Sequence, residues 1–537
     1  MSAPTTSRLL NDEKSGPHSA SVAPSAEDCG PDAPYGHRRI EEAIRDYARS
    51  DPAAHAIVTS GGRPLSYSRL AGQLEDVAGA LARLGLGRSS RVAVGVKDVP
   101  TAALAIVAVS CSAAAVPLDR NLAAAEIETR LLPLDVDAVC VLAGESSAAE
   151  TVARKHGIPV LELIREHERE LPFRVSARCD LGAADGSAAG DAAVIFQTSG
   201  TTAEPKFVPC THESLLASAR QVRRWLRLGK DDRCLSVAPP FFSHGLTFTI
   251  LAPLLSGGSV AFPSSSIDVD PSEWFEALQP TWYSASPTLH LAISERLAAA
   301  PSPPAHRLRL AASGGARLPE SVLLDLQRRL GIPVLEHYGM TEASQISSNL
   351  PAPGPCKRGT VGIPPASTVM ISDGDGRAVP PGEKGEIRIR GPNVMKGYLN
   401  GPEHDRDSFS DGWFRTGDIG SLDEEGFLTL HDRVKEVINR GGESISPFEV
   451  EAAALQHPDV REAVAFSVPH PRLGEDVSLA VVLRPGAALD AGEFRRFLSG
   501  RLSWNKVPRR VHAIDRIPRG PGGKALRRTL RGLFLGR

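Results

Sequence analysis

From Arg39 onward, short apolar runs alternate with amphipathic stretches, and that rhythm restricts the chain to layered α/β structure. The spacing predicts a buried strand over 91–96, a helix over 102–110 and further strands over 137–142 and 158–163. Another strand, 192–196, runs straight into a Ser/Thr/Gly loop. The pattern resumes with strands over 234–237, 259–262, 281–284, 307–312 and 334–337. Such alternation predicts a largely parallel sheet with helices on its faces, and ligands of such sheets collect beyond the C-terminal strand ends. The character changes after Pro351, where 386–390 alternates with period two between Gly- and Asp-rich turns, as in an antiparallel meander. Beyond Arg433 a helix over 447–456, strands over 462–467 and 478–483 and a helix over 490–498 predict a small separate α+β domain.

At 537 residues the chain is too long for one ordinary domain. Its formal net charge of −2 argues against a nucleic-acid binder, which needs a basic face to displace counterions. The seven cysteines (29, 111, 140, 180, 210, 234 and 356) include no C-x-x-C pair, so neither a zinc site nor a disulfide framework is indicated. Reduced thiols and a cytoplasmic location are the simpler expectation. Residues 1–36, rich in Ser, Pro, Ala and Asp, lack the apolar core of a signal peptide and read as a disordered leader. The apolar run 101–118 is built from small residues and contains Pro117, so a buried helix and its following strand are expected there, not a membrane span.

The segment Thr198-Ser-Gly-Thr-Thr-Ala-Glu-Pro-Lys206 carries the strongest chemical signal. Its hydroxyls and backbone N–H groups, opened by Gly200 and closed by a cation, suit phosphate oxygens. It is not a Walker A loop, because G-x-x-x-x-G-K-[ST] is absent. The segment resembles the phosphate-binding signature of the acyl-adenylate-forming superfamily of acyl-CoA synthetases, adenylation domains and beetle luciferases. Further resemblances follow in order: Tyr338-Gly-Met-Thr-Glu342, Trp413-Phe-Arg-Thr-Gly-Asp418, Arg433-Val-Lys435-Glu436 at a hinge, and Pro518-Arg-Gly-Pro-Gly-Gly-Lys524.

The resemblance implies a fold and a set of roles. The fold is α/β: a large N-terminal domain (37–432) of parallel α/β subdomains with a small β-barrel-like part (352–432), then a smaller mobile α+β C-terminal domain (433–537). ATP would meet Thr198, Ser199, Gly200, Thr201, Thr202 and Lys206 at its phosphates, Thr341 near the α-phosphate and Tyr338 near the adenine. Ser313, Gly314, Gly315 and Gly339 would border the same site. Asp418 would accept both ribose hydroxyls, with Arg433 assisting, and Glu342 would hold Mg²⁺ through an oxygen. Lys524 would be the catalytic lysine, an ammonium that offsets the repulsion between a carboxylate and the α-phosphate. Lys435 would be the hinge, and Gly441 and Gly442 would border the pantetheine channel.

The implied activity is AMP-forming ligation of a carboxylic acid to CoA, or to the phosphopantetheine of an acyl carrier protein, which nothing in the sequence separates. A luciferase-like oxygenase shares the same motifs, while a non-catalytic nucleotide-binding protein is disfavoured by intact Lys524, Glu342 and Asp418. Ala203, Phe207 and Phe242 depart from the family's commoner residues, and Phe242 stands where many ligases carry a His. The acid pocket is expected between 241–245, 281–290 and 313–316, loops that follow successive strands. Segments 205–209, 281–290 and 439–447 are most similar to oxalate:CoA ligases, which points to a small acid, with His244, Gly245 and His290 at the pocket and the two histidines meeting a second carboxylate.

Overall fold

The computed structural model describes residues 36–165, 167, 170–177, 191–198, 205–265, 270–399, 405–406, 408–433, 436–440, 443–520 and 523–535. The strand–helix alternation resolves into two sheets. The first runs Phe173–Ala177, Val160–Arg165, Ala138–Leu142, Arg91–Val94, Ala114–Pro117, Ala192–Thr198, Lys206–Thr211. The second runs Ser347–Ser348, Val334–Tyr338, Leu310–Ser313, Trp282–Ala285, Arg233–Ser236, Ser259–Phe262, His55–Thr59, Leu65–Ser66. Both are parallel inside and antiparallel only where their edge strands pair. Interior strands such as Leu310–Ser313 and Ser259–Phe262 are buried along their whole length, which is why they read as unbroken apolar runs and not as alternation.

The apolar run at 101–118 forms the helix Val99–Ser110 and the strand Ala114–Pro117. Asp98 caps the helix by accepting from the Thr101 N–H at 3.1 Å, and Thr101 through Ser110 are all buried. A helix apolar on every side belongs inside a core. Among the described residues no helix is long and apolar enough to cross a membrane. Cys111, Cys140, Cys210 and Cys234 are buried and unpaired and Cys356 is exposed and unpaired.

After Pro351 an antiparallel sheet forms, ordered Val369–Ser372, Gly385–Ile389, Trp413–Leu422, Phe409–Ser410, with Leu428–Arg433 also paired to Trp413–Leu422. The last sheet joins Glu443–Ile445, Ile438–Arg440, Gly474–Leu483 and Val460–His470, with Arg510–Ala513 parallel to Gly474–Leu483. Helices Pro447–Ala454 and Ala491–Ser499 contribute Val450, Phe494 and Leu498 to its core, so this α+β unit has a core of its own.

Candidate active site

The strand Val334–Tyr338 delivers Tyr338 to a buried position, where its hydroxyl donates to Asp418 Oδ2 at 2.5 Å. Asp418 sits within the strand Trp413–Leu422, opposite Arg433 in the register. Arg433 Nε lies 2.8 Å from Asp418 Oδ1, so both carboxylate oxygens are engaged, and Asp418 is 6% exposed. Burial works against the Arg433 charge, but Asp418 and Glu436 overcome it and hold its pKa above the usual value. Thr416 Oγ1 accepts from the Asp418 N–H at 3.0 Å and donates to the Ile387 carbonyl at 2.8 Å, fixing the strand at this point.

Glu342 follows in the turn after Tyr338 and is 9% exposed. Tyr398 donates its hydroxyl to Glu342 Oε1 at 2.8 Å, and the Lys206 ammonium lies 4.4 Å from the Tyr398 ring centroid. Asn393 straps the same turn by donating to the Ala343 and Gln345 carbonyls at 3.0 and 2.7 Å. Burial raises the Glu342 carboxyl, opposed by the Tyr398 hydrogen bond and by the charges of Arg433 and Lys206. Among the described residues no three metal-ligating side chains cluster, and Glu342 offers one carboxylate at this turn. That suits Mg²⁺, which takes one or two carboxylates and fills its remaining positions with phosphate oxygens and water.

Thr198 and Lys206 face each other where Ala192–Thr198 pairs with Lys206–Thr211. Ser199, Gly200, Thr201 and Thr202 lie outside the described residues, as do Lys435, Gly441, Gly442 and the leader up to 35.

Lys524 comes from the C-terminal unit. Burial lowers its pKa, Arg433 and Arg527 lower it further, and Glu436 and Asp418 oppose them. Its loop closes on itself through Gly520 N–H to the Lys524 carbonyl at 2.8 Å. The loop meets the main domain where Thr288 Oγ1, at the start of the helix Pro287–Ala299, donates to the Gly523 carbonyl at 3.2 Å. Arg461 of the C-terminal unit reaches Glu295 of that helix through two bonds of 2.7 and 2.8 Å. Arg527 donates to Glu436 at 3.1 Å and to Glu451 at 2.6 Å, and burial pushes Glu451 up to about 7 against Arg527.

The expected acid-pocket loops do follow neighbouring strands of the second sheet. His244 opens a wide-turned π-helical segment, His244–Leu251, and its Nε2 lies 2.9 Å from Ser284 Oγ. A Cβ at Gly245 would stand 2.0 Å from the Pro239 carbonyl oxygen, so only glycine permits that turn. Gly314 and Gly315 follow Ser313 at the end of Leu310–Ser313. His290 is fully buried on the helix Pro287–Ala299, with Nε2 3.0 Å from the Ala312 carbonyl and Nδ1 3.4 Å from the Tyr283 hydroxyl. Both of its nitrogens are spent on packing partners.

A family model described as AMP-binding enzyme matches residues 44–399, and one described as AMP-binding enzyme C-terminal domain matches 449–524. The chain belongs to the AMP-binding enzyme family. An oxalate–CoA ligase of Arabidopsis thaliana is 35% identical over 505 residues, covering 92% of this chain and 98% of its own length. A probable CoA ligase, CCL9, of Humulus lupulus is 35% identical over 498 residues, covering 89% and 93%. The crystal structure of ATP-bound MatB from Rhodopseudomonas palustris matches with a TM-score of 0.81 at 28% identity, covering 92% of this chain and 99% of that one. For an AMP-binding enzyme, the sequence motifs leave out Tyr398 and Asn393, which hold the Glu342 turn. Tyr398 and Asn393 sit about fifty residues from the turn they hold, and no local pattern marks that contact.

Proposed function

We propose that this AMP-binding enzyme is an AMP-forming acid:CoA ligase acting on a small carboxylic acid, with oxalate among the candidates. The observation that carries the reading is the Lys524 loop of the C-terminal unit seated against the main domain at Thr288, which leaves Lys524 within electrostatic reach of Asp418, Arg433 and Glu436. Asp418 and Arg433 receive the ribose and Tyr338 lies along the adenine. Thr341 reaches the α-phosphate, while Thr198 through Thr202 and Lys206 wrap the other phosphates. Mg²⁺ held by Glu342 would neutralise charge on the departing pyrophosphate. The substrate carboxylate oxygen attacks the α-phosphorus, the bond from that phosphorus to the bridging oxygen breaks, and pyrophosphate leaves. Lys524 lies between two anions in that step and stabilises the charge that builds there. The C-terminal domain (433–537) then turns about Lys435, and the CoA thiol, guided past Gly441 and Gly442, displaces AMP to give the thioester.

The test supplies ATP, Mg²⁺, a carboxylic acid panel and, in parallel arms, CoA or a phosphopantetheinyl carrier protein. The reading expects pyrophosphate, AMP and an acyl-CoA. Pyrophosphate release followed by acylation of the carrier alone would move the acceptor from CoA to carrier. No pyrophosphate with any acid would overturn the reading.

A further inference from the structure

Lys524 ends the segment Pro518-Arg-Gly-Pro-Gly-Gly-Lys524, whose glycines leave few side chains to hold the loop in one shape. Backbone bonds close it: Gly520 N–H to the Lys524 carbonyl at 2.8 Å, Gly523 N–H to the Gly520 carbonyl at 2.9 Å and Leu526 N–H to the Pro518 carbonyl at 2.9 Å. These bonds shape the loop without tying it to the rest of the C-terminal unit. Two guanidinium groups supply that tie. Arg519 donates through Nη1 to the Gly523 carbonyl at 2.7 Å and through Nη2 to Glu462. Arg527, three residues past the lysine, donates through Nε to the Ala465 carbonyl at 2.9 Å. Glu462 and Ala465 both lie in Val460–His470, so one strand holds the loop on both sides of the lysine.

Arg527 reaches further than Arg519. Its Nη1 donates to Glu436 Oε2 at 3.1 Å and its Nη2 to Glu451 Oε1 at 2.6 Å, so all three nitrogens are engaged. Glu451 Oε1 also accepts from the Ala465 N–H at 2.9 Å, and the Phe448 ring lies over the guanidinium at 5.0 Å. Further along the helix Arg527–Phe534, Leu530 and Phe534 pack with Val464 and Phe466 of the strand. The side chains of Arg527, Glu436 and Glu451 are only 15%, 19% and 13% exposed. A planar fork of fixed donors can meet acceptors on three elements at once, whereas a lysine ammonium is a single point and cannot.

Glu436 directly follows Lys435, the proposed hinge, and its N–H donates to the Arg433 carbonyl at 2.9 Å. The charges acting on Lys524 are Arg433, Glu436, Asp418 and Arg527, so both members of the Arg527–Glu436 pair are felt at the ammonium. We propose that Arg527 is a positioning residue for Lys524: it joins the lysine loop to the first residue beyond the hinge, so that a turn at the hinge carries the ammonium to the α-phosphate as part of one rigid body. Arg527 acts through Lys524 and takes no part in bond making. The inference rests on the acid:CoA ligase reading and adds how the catalytic lysine is held.

The experiment follows two half-reactions across pH: pyrophosphate release from ATP and acid, and thioester formation from supplied acyl-adenylate and CoA. Arg527→Lys keeps the charge and loses the fork. Its pyrophosphate release should fall by about ten- to about a hundredfold, as for a misplaced reacting group, while the thioester step stays within about threefold of the parent. Its alkaline limb should not move. Arg527→Gln should lose as much and also move that limb to higher pH, because Arg527 lowers the Lys524 pKa. Glu436→Gln should move it to lower pH, because Glu436 raises that pKa, and this variant keeps the test decisive if the Arg527 variants fail to fold. Pyrophosphate release by Arg527→Lys at the parent's rate, equal slowing of both half-reactions, or an unmoved limb in Glu436→Gln would overturn the inference. A total lack of pyrophosphate release by the parent with every acid would instead overturn the ligase reading beneath it.

Discussion

Asp418 has both carboxylate oxygens engaged, by Tyr338 and Arg433, and is 6% exposed, whereas Lys524 stands on a loop that, among the described residues, is tied to the main domain by a hydroxyl–carbonyl bond at Gly523. The C-terminal unit also meets the main domain through Arg461–Glu295, an ion pair with side chains 35% and 42% exposed. The half of the site proposed to hold the nucleotide is thus already assembled from hydrogen-bonded side chains. The lysine half is docked by contacts weak enough to part. A catalyst that uses one cleft for two successive reactions needs that asymmetry: a fixed platform and a detachable cation.

The largest blow to the platform is Asp418→Ala, which removes the proposed ribose acceptor together with the partner of Arg433 and Tyr338. The KM for ATP in pyrophosphate release should rise by about a hundredfold, and a change below about threefold would mean that Asp418 is not at the nucleotide. Tyr398→Phe comes next. The Tyr398 hydrogen bond lowers the Glu342 pKa, so its loss lets burial raise that carboxyl further. The acidic limb of the adenylation rate should move to higher pH, with a loss of about three- to about tenfold on that side. An unmoved limb would detach Tyr398 from the chemistry.

The lysine half gives smaller and differently shaped responses. Because the Lys524 pKa is lowered, its charge is lost earlier than an ordinary lysine's as pH rises, so adenylation should decline before pH 10.5 is reached. Thioester formation from supplied acyl-adenylate should not share that limb. Smallest of all is Arg461→Ala, since an exposed ion pair is worth about 0.2–1 kcal/mol. It should slow adenylation by less than about fivefold and leave the thioester step unchanged or faster. Equal slowing of both half-reactions would make the pair a general prop, not part of the dock.

The same asymmetry governs what could be read from sequence. Strand identity was legible because buried parallel strands are short continuous apolar runs, and 259–262 even keeps its expected limits. Which sheet each strand joins was not, because His55–Thr59 pairs with Ser259–Phe262 some two hundred residues away, and no local residue encodes that partner. Tyr338, Glu342, Asp418 and Lys524 were singled out by ordered motifs, and the fold gathers them. The contact of Ser284 Oγ with His244 Nε2 and His337 Nε2 stayed hidden in sequence, since the three residues lie on separate elements. His290, with an equally suggestive sequence setting, turns both nitrogens to the core.

The most direct measurement is the half-reaction split of Lys524→Ala. Pyrophosphate release from ATP and acid should fall by about a hundred- to about a thousandfold, while conversion of supplied acyl-adenylate and CoA to thioester stays within about tenfold of the parent. Pyrophosphate release at the parent's rate would contradict the role given to this lysine, and with it the account of a detachable cation docking on a fixed platform.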